Sequence, residues 1–281
     1  MDSASLSPQE QLELDEANAR EWKHKQLEKL GPWLAILFLF VGWELAVALM
    51  NVPEFILPRP TSIFRAMWIW REPIFANALQ TLYTTVFGFF LAVVFGLLLG
   101  VAIGASSLVY QTLYPLLIGF NSVPKIAVVP LLVIWFGIGT VPAVITAFLI
   151  SFFPIVVNVA AGIATTEPEL RDVLRALGAR KRDVLIKVGL PRSMPYFFAS
   201  LKIAITVAFI GSIMSETVAS NAGIGHLVIV ASARFDVPLV FAGLLVTAFM
   251  GVAMYAVASV VEQRITGWSV RADIGGTTAA G

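Results

Sequence analysis

Long apolar stretches constrain this chain more than any other feature of its sequence. Six of them come close to or exceed the roughly 20 residues that a helix needs to cross the hydrocarbon layer of a bilayer. They cover residues 32–50, 79–104, 108–139, 141–163, 196–217 and 239–261. Only 13% of the residues are charged, against about 25% in soluble domains. The sequence therefore predicts an all-α, polytopic membrane protein with six transmembrane helices.

The third stretch is too long for one straight helix, and a break interrupts it at residues 121–125 (NSVPK). Pro124 lacks a backbone N–H and disfavours helical geometry at Val123. Irregular backbone is tolerated at membrane depth only where protein or a watery cavity covers it. We therefore expect this break to face the inside of a helical bundle.

The basic residues predict the domain organisation and the orientation. Residues 1–31 form a polar tail, interpreted as an amphipathic helix or a solvated arm; residues 32–262 form the membrane domain and residues 263–281 a second tail. The first tail holds four Lys or Arg and the 164–195 connection holds seven, whereas the connections on the other side hold few. Because Lys and Arg accumulate on the cytoplasmic side, we expect both termini and the 164–195 connection to be cytoplasmic.

Several classes of function are disfavoured by what the chain contains. It has no Cys and only two His, so thiolate catalysis is excluded and little material remains for a metal site. His226 is not accompanied by a Gly-x-Ser-x-Gly nucleophile site, which disfavours an intramembrane serine protease. No GxxxxGK[ST] phosphate loop occurs, so the chain itself is not expected to hydrolyse ATP. A net charge of +1 gives no general attraction to nucleic acid. We predict no catalytic residue, metal or cofactor in this chain.

The 164–195 connection has a helix, glycine, helix pattern. Thr166 can cap a helix with Glu167, Pro168 and Glu169 in its first turn, and Gly178 ends it. Val173, Leu174 and Leu177 give this helix a short apolar face with a basic rim. The basic residues could serve only to contact anionic lipid and to fix topology. Topology alone, however, needs neither the glycine nor the apolar face.

The spacing of this connection resembles the EAA loop of ATP-binding cassette (ABC) importer permeases. That loop reads Glu-Ala-Ala, three residues, Gly, nine residues, Ile, one residue, Leu-Pro. Gly178, Leu190 and Pro191 match it, while Asp172-Val173-Leu174 replaces the opening triad. Three further stretches resemble the nitrate, taurine, alkanesulfonate and bicarbonate branch: FILPRPTSIF at 55–64, VPKIAVVPLLVIWFGIG at 123–139 and SETVASNAGIG at 215–225.

This resemblance implies the type I ABC importer permease fold in a bacterial cytoplasmic membrane. Two permease subunits, here expected to be a homodimer, would form the pathway for a small, anionic solute. Two separate ATPases, which carry ATP and Mg, would dock on the loops, and an extracytoplasmic binding protein would deliver the solute. The residues expected to couple to the ATPase are Glu167, Glu169, Arg171, Asp172, Leu174, Arg175, Leu177, Gly178, Leu190 and Pro191.

Ionisable residues inside spans are costly, so each needs a partner or a role. Asn121, Lys125, Ser215 and Glu216 are the candidate pathway residues. Lys125 could contact an anionic solute, or it could form an ion pair with Glu216 or Glu44. Lys202 is expected to extend to the cytoplasmic membrane surface.

Other interpretations remain open at this point. A self-contained secondary transporter or channel for a small anion would need no ATPase, and a membrane anchor would have no pathway. Gly88, Gly96, Gly100 and Gly104 allow close approach of another helix, either within the subunit or across a dimer. The glycines of residues 223–225 permit a re-entrant turn near the outer gate or a plain connecting turn.

Overall fold

The structure of the protein is a computed structural model, and it describes residues 30–31, 34–165, 173–174 and 176–266. The two predicted tails lie almost wholly outside these residues. The described chain is helical, and no β-strand occurs in it. The helices are α1 (Leu34–Leu49), α2 (Pro60–Ile69), α3 (Arg71–Gly104), α4 (Ser107–Asn121), α5 (Val129–Phe136), α6 (Thr140–Ala164), α7 (Lys181–Ala219), α8 (Ile224–Ala233) and α9 (Val237–Thr266).

Four of these helices, α3, α6, α7 and α9, are long and apolar enough to cross a membrane. The predicted third span is a bent pair, since α4 meets the segment Lys125–Phe136 at an angle of 74°. Pro124, at the bend, has an extended conformation and precedes a 3₁₀ turn at Lys125–Val128. The predicted first span corresponds to α1, which is shorter than a full span and adjoins residues that the structure does not describe.

The chain divides into two compact units at the Arg65–Ala66 boundary. The first contains α1 and the start of α2. Glu44 of α1 accepts hydrogen bonds from the N–H (3.1 Å) and the hydroxyl (3.0 Å) of Thr61, in the first turn of α2. Glu44 thereby satisfies one of the free N–H groups with which every helix begins.

The second unit is built on a tightly packed group of three helices, α3, α6 and α7. The predicted glycine positions of α3 face α6, so they pack within the subunit. A Cβ at Gly88 would lie 2.6 Å from the Cβ of Ala147, and one at Gly100 would lie 2.7 Å from the Cβ of Val159. Only glycine allows this approach, so the sequence of α3 sets the helix spacing.

Helices α8 and α9 complete the second unit. Helix α9 packs mainly on α7 and on α8, and it has few contacts with α3. Lys202 of α7, expected to extend to the membrane surface, instead forms an ion pair with Glu262 of α9 at 2.6 Å between Nζ and Oε2. The pair joins the middle of α7 to the C-terminal part of α9.

Candidate functional site

The predicted coupling loop keeps its central glycine in the conformation that ends a helix. Val173 and Leu174 are helical, the N–H of Leu177 donates to the carbonyl of Val173 at 3.1 Å, and Gly178 follows with φ of +86°. The N–H of Ala179 donates to the carbonyl of Leu174 at 3.0 Å. This 6→1 bond is the signature of a Schellman motif, in which the residue at the Gly178 position must be left-handed. The glycine is therefore required by the turn.

A second helix begins at once after this turn. The N–H of Arg180 donates to Oδ2 of Asp183 at 3.1 Å, as in a capping box. The first turn of α7 then passes into a π turn at Leu185–Gly189 before regular helix resumes at Leu190. The second helix of the loop and the span thus form one continuous helix, Lys181–Ala219, with a wide turn at their junction.

The described part of the loop presents apolar side chains to the surface. Val173 is 56% exposed and Leu177 is 79% exposed. Gly178 and Pro191 are also exposed, and Leu174 and Leu190 are half-buried. Five further predicted coupling residues, Glu167, Glu169, Arg171, Asp172 and Arg175, lie outside the described residues.

The predicted pathway residues fall into two separate groups. In the first, Lys125 Nζ donates to the carbonyl (2.7 Å) and to Oδ1 (2.8 Å) of Asn121, the last residue of α4. The ammonium also lies 5.0 Å from the centre of the Phe153 ring. A cation at a helix C-terminus complements the helix dipole. Asn121 and the following three residues are exposed, whereas Lys125 is half-buried.

In the second group, Glu216 is fully buried and is held by hydrogen-bond donors. Its carboxylate accepts from the hydroxyls of Thr81 (2.7 Å) and Thr84 (3.2 Å) and from the N–H of Gly225 (3.2 Å). The Ser215 hydroxyl beside it is buried and has no hydrogen-bond partner among the described residues. The expected ion pair between Lys125 and Glu216 is absent from the described part of the chain.

Side chains of α3 and α7 together hold the N-terminus of α8. Asn77 Oδ1 accepts from the N–H of Gly223 (2.7 Å), and Thr81 Oγ1 accepts from that of Ile224 (2.8 Å). Glu216 takes the next N–H, that of Gly225. Gly223 has φ of +106°, and a Cβ there would collide with the Glu216 carboxylate. The turn at 223–225 is therefore a fixed attachment of α8 to two spans.

The sequence did not single out Thr81 and Thr84 as partners of Glu216, or Asn77 as a partner of Gly223. The sequence did contain a pattern that indicates these contacts. Polar residues at positions 77, 81, 84 and 85 lie along one side of a mostly apolar span. Positions spaced by three and four residues share a helix face. Such a face in a membrane indicates a buried polar partner.

Comparisons with known proteins agree with this architecture. Residues 92–267 match the family described as the binding-protein-dependent transport system inner membrane component. The formylaminopyrimidine transport permease protein ThiX of Halalkalibacterium halodurans is 30% identical, over 87% of this chain and 98% of that protein. The taurine transport system permease protein TauC of Escherichia coli is 28% identical, over 84% of this chain and 87% of that protein.

A solved structure shows the same fold. A chain in the inward-facing MetNI methionine ABC transporter superposes with a TM-score of 0.59 at 18% identity, and the match covers 75% of this chain and 99% of that one. The all-α architecture of a type I importer permease is thereby confirmed. The chain belongs to the family of inner-membrane components of binding-protein-dependent transport systems, and it is a permease subunit of an ABC importer.

Proposed function

We propose that this permease imports a small, anionic solute of the nitrate, bicarbonate, sulfonate or taurine kind. An extracytoplasmic binding protein delivers the solute, and a second permease subunit, a copy of this chain, completes the pathway. Separate ATPase subunits dock on residues 167–191 and supply the energy. ATP binding draws the two ATPases together and turns the pathway outward, and hydrolysis resets it.

One observation carries the coupling part of this proposal. Val173 and Leu177 expose apolar side chains beside Gly178, in a segment rich in arginine and lysine. Apolar anchors with an arginine-rich rim are typical of protein interfaces. Gly178 fixes the geometry of the helical turn that carries these side chains. The two side chains are therefore held in a defined position for binding.

The continuous helix explains how a docked ATPase can act on the pathway. Residues 181–219 run from the loop through the span to Glu216 without a break in the helix. Glu216 in turn holds α8 through Gly225. A displacement of the loop is therefore passed along α7 to the opposite side of the membrane domain. In this proposal Ser215 and Glu216 act on the pathway through α8, because both are buried.

The exposed break at residues 121–125 is the proposed lining of the pathway. Open backbone and a lysine cannot face lipid without a large cost. The second subunit and the aqueous pathway between the two subunits would cover the break. Lys125 places positive charge there, which favours an anion. The similarity to TauC, whose name specifies taurine, supports a sulfonate-like solute.

The test of the coupling proposal is substitution of Gly178 in the complex, isolated from its own cells in mild detergent and reconstituted in vesicles. We expect Gly178→Val to insert normally and to lose most vanadate-sensitive ATPase activity, because a β-branched residue does not tolerate a positive φ. Gly178→Asn is the matched control. Asparagine adopts the left-handed conformation more readily, so it should retain most of the activity.

Two results would contradict the proposal. Wild-type activity of Gly178→Val would show that the loop geometry does not couple the ATPase. The second result concerns the solute. If the binding protein stimulated the ATPase activity of the wild-type complex when loaded with a neutral solute such as a pyrimidine, but not when loaded with a sulfonate, bicarbonate or nitrate, the proposed anionic solute would be wrong. The coupling proposal would be unaffected.

A further inference from the structure

The ammonium of Lys125 has only neutral partners among the described residues. Two of its three N–H groups donate to the carbonyl and to Oδ1 of Asn121, and the Phe153 ring lies 5.0 Å away. No carboxylate of the described residues lies within ion-pair distance of Lys125. Lys202, in contrast, pairs with the carboxylate of Glu262 at 2.6 Å. The charge of Lys125 is therefore not neutralised in the way that the charge of Lys202 is.

The partners of Lys125 offset only part of its positive charge. Asn121 is the last residue of α4, and the C-terminus of a helix carries about half of an elementary negative charge. An aromatic ring adds a weaker attraction. Roughly half of the positive charge thus stays unbalanced, on a half-buried side chain within a predicted span, where an uncompensated charge is costly. An anion that binds in the pathway would complete the balance.

The ammonium is held in place and is still accessible to such an anion. Its two bonds go to the backbone and to the side chain of one residue, Asn121, so they fix its position. The third N–H has no acceptor among the described residues. Residues 121–124 beside it are exposed. An anionic oxygen can therefore accept the third N–H while the other two hold the lysine.

From this geometry we infer that the transported anion is the counter-ion of Lys125, and that Asn121 is the positioning residue that presents the ammonium to it. The inference rests on the proposed function, because it needs an anionic solute in the pathway. It requires a neutral residue at position 121, since a carboxylate there would balance the charge that the solute balances. Phe153 stabilises the ammonium without neutralising it. Asn121 acts through Lys125 and needs no contact of its own with the solute.

Asn121→Asp tests this inference, because it keeps the hydrogen-bond acceptor and adds a negative charge. The complex is reconstituted in vesicles with its binding protein, and the probes are labelled nitrate, bicarbonate, ethanesulfonate and taurine. We expect the amount of probe imported per ATP hydrolysed to fall at least about tenfold, the scale of one hydrogen bond to a charged group. The Tm of the complex should not fall, because the lysine still completes α4. Asn51→Asp, the same change at an exposed turn, is the control and should leave the ratio unchanged.

Chemical rescue separates the charge at position 125 from the shape of the side chain. The chain has no cysteine, so Lys125→Cys carries a single thiol. We expect this variant to import little. Aminoethylation of the thiol restores an ammonium at the length of lysine and should restore import, whereas alkylation with neutral 2-iodoethanol should not. The wild-type complex, treated with the same reagents, controls for thiols on the partner subunits.

The outcomes distinguish this inference from the proposed function. An unchanged ratio in Asn121→Asp, or equal rescue by the neutral reagent, would refute the role of Lys125 and leave the proposed function standing. A wild-type complex that imports none of the four probes would refute the proposed function, and this inference with it. The rescue experiment decides the question if Asn121→Asp fails to assemble.

Discussion

At the scale of single residues, three ionisable side chains share one task. The carboxylate of Glu44 lies at the start of α2, the carboxylate of Glu216 lies at the start of α8, and the ammonium of Lys125 lies at the end of α4. Each charge has the sign that the nearby helix dipole favours, and each satisfies backbone groups that the helix leaves unpaired. The cost of these charges in a membrane chain is thus offset by the helix ends that they complete.

Replacement of Glu216 by alanine should destabilise the protein. It leaves the buried Gly225 N–H without its acceptor, and a buried donor without a partner costs about 1–3 kcal/mol. The hydroxyls of Thr81 and Thr84 lose their bonds to the carboxylate and keep only the carbonyls of Asn77 and Thr81 as acceptors. We expect a clear fall in Tm, measured in detergent by tryptophan fluorescence. Ser215→Ala is the control, because it removes a buried hydroxyl that has no partner among the described residues. Equal Tm values for the two variants would contradict the capping role.

The sequence pointed to these residues but not to their partners. A charge in an apolar span is conspicuous because of its cost, so Lys125 and Glu216 could be singled out. Thr81 and Thr84 lie 135 and 132 positions from Glu216 along the chain. Nothing local to either segment indicates that they meet, and a lysine was the more obvious partner for a carboxylate.

At the scale of elements, α3 contributes glycine backbone to its contact with α6, and α6 contributes the side chains of Ala147, Ile155, Val159 and Ile163. Gly88, Gly96, Gly100 and Gly104 replace side chains along the contact line. Helices gain close van der Waals contact in this way, which is the main attraction available to them in lipid. The two helices should therefore move together during transport.

Gly100→Ala should separate α3 from α6. The new methyl would lie 2.7 Å from Val159 Cβ and 3.0 Å from the Val156 carbonyl oxygen, and such overpacking costs about 1–3 kcal/mol. Thermal unfolding in detergent measures the loss. Gly119→Ala in α4 is the matched control, because no atom lies within 4 Å of the new methyl and alanine favours a helix by about 0.5–1 kcal/mol. A Tm that falls equally in both variants would contradict the contact.

Hydropathy and proline chemistry predicted most of the elements. The spans of α3, α6, α7 and α9 and the break before Lys125 follow from local sequence, because membrane insertion depends on each segment separately. The π turn, the attachment of α8 and the ion pair of Lys202 depend on neighbouring helices. Apolar periodicity carries no information about which helix lies beside which.

At the scale of the whole molecule, the distribution of lysine and arginine predicts that the coupling loop and both termini are cytoplasmic. The absence of cysteine from the chain makes this directly testable with single cysteines at exposed positions. We expect Val173→Cys and Arg264→Cys to react with an impermeant thiol reagent only in inverted vesicles. Glu72→Cys and Arg234→Cys should react in intact spheroplasts. The reverse pattern would show that the chain is inserted the other way round.

The π turn at Leu185–Gly189 makes the length of the coupling segment more important than its composition. A π turn accommodates an extra residue compared with an α-helical turn. If the same residues formed a regular helix without the π turn, residues 181–184 would be rotated by about 100° around the helix axis relative to the span. The loop would then present a different face to the ATPase subunit. Substitutions that keep the π turn can be absorbed, whereas a one-residue deletion or insertion in the regular helix beside it misaligns the ATPase-binding loop relative to the span.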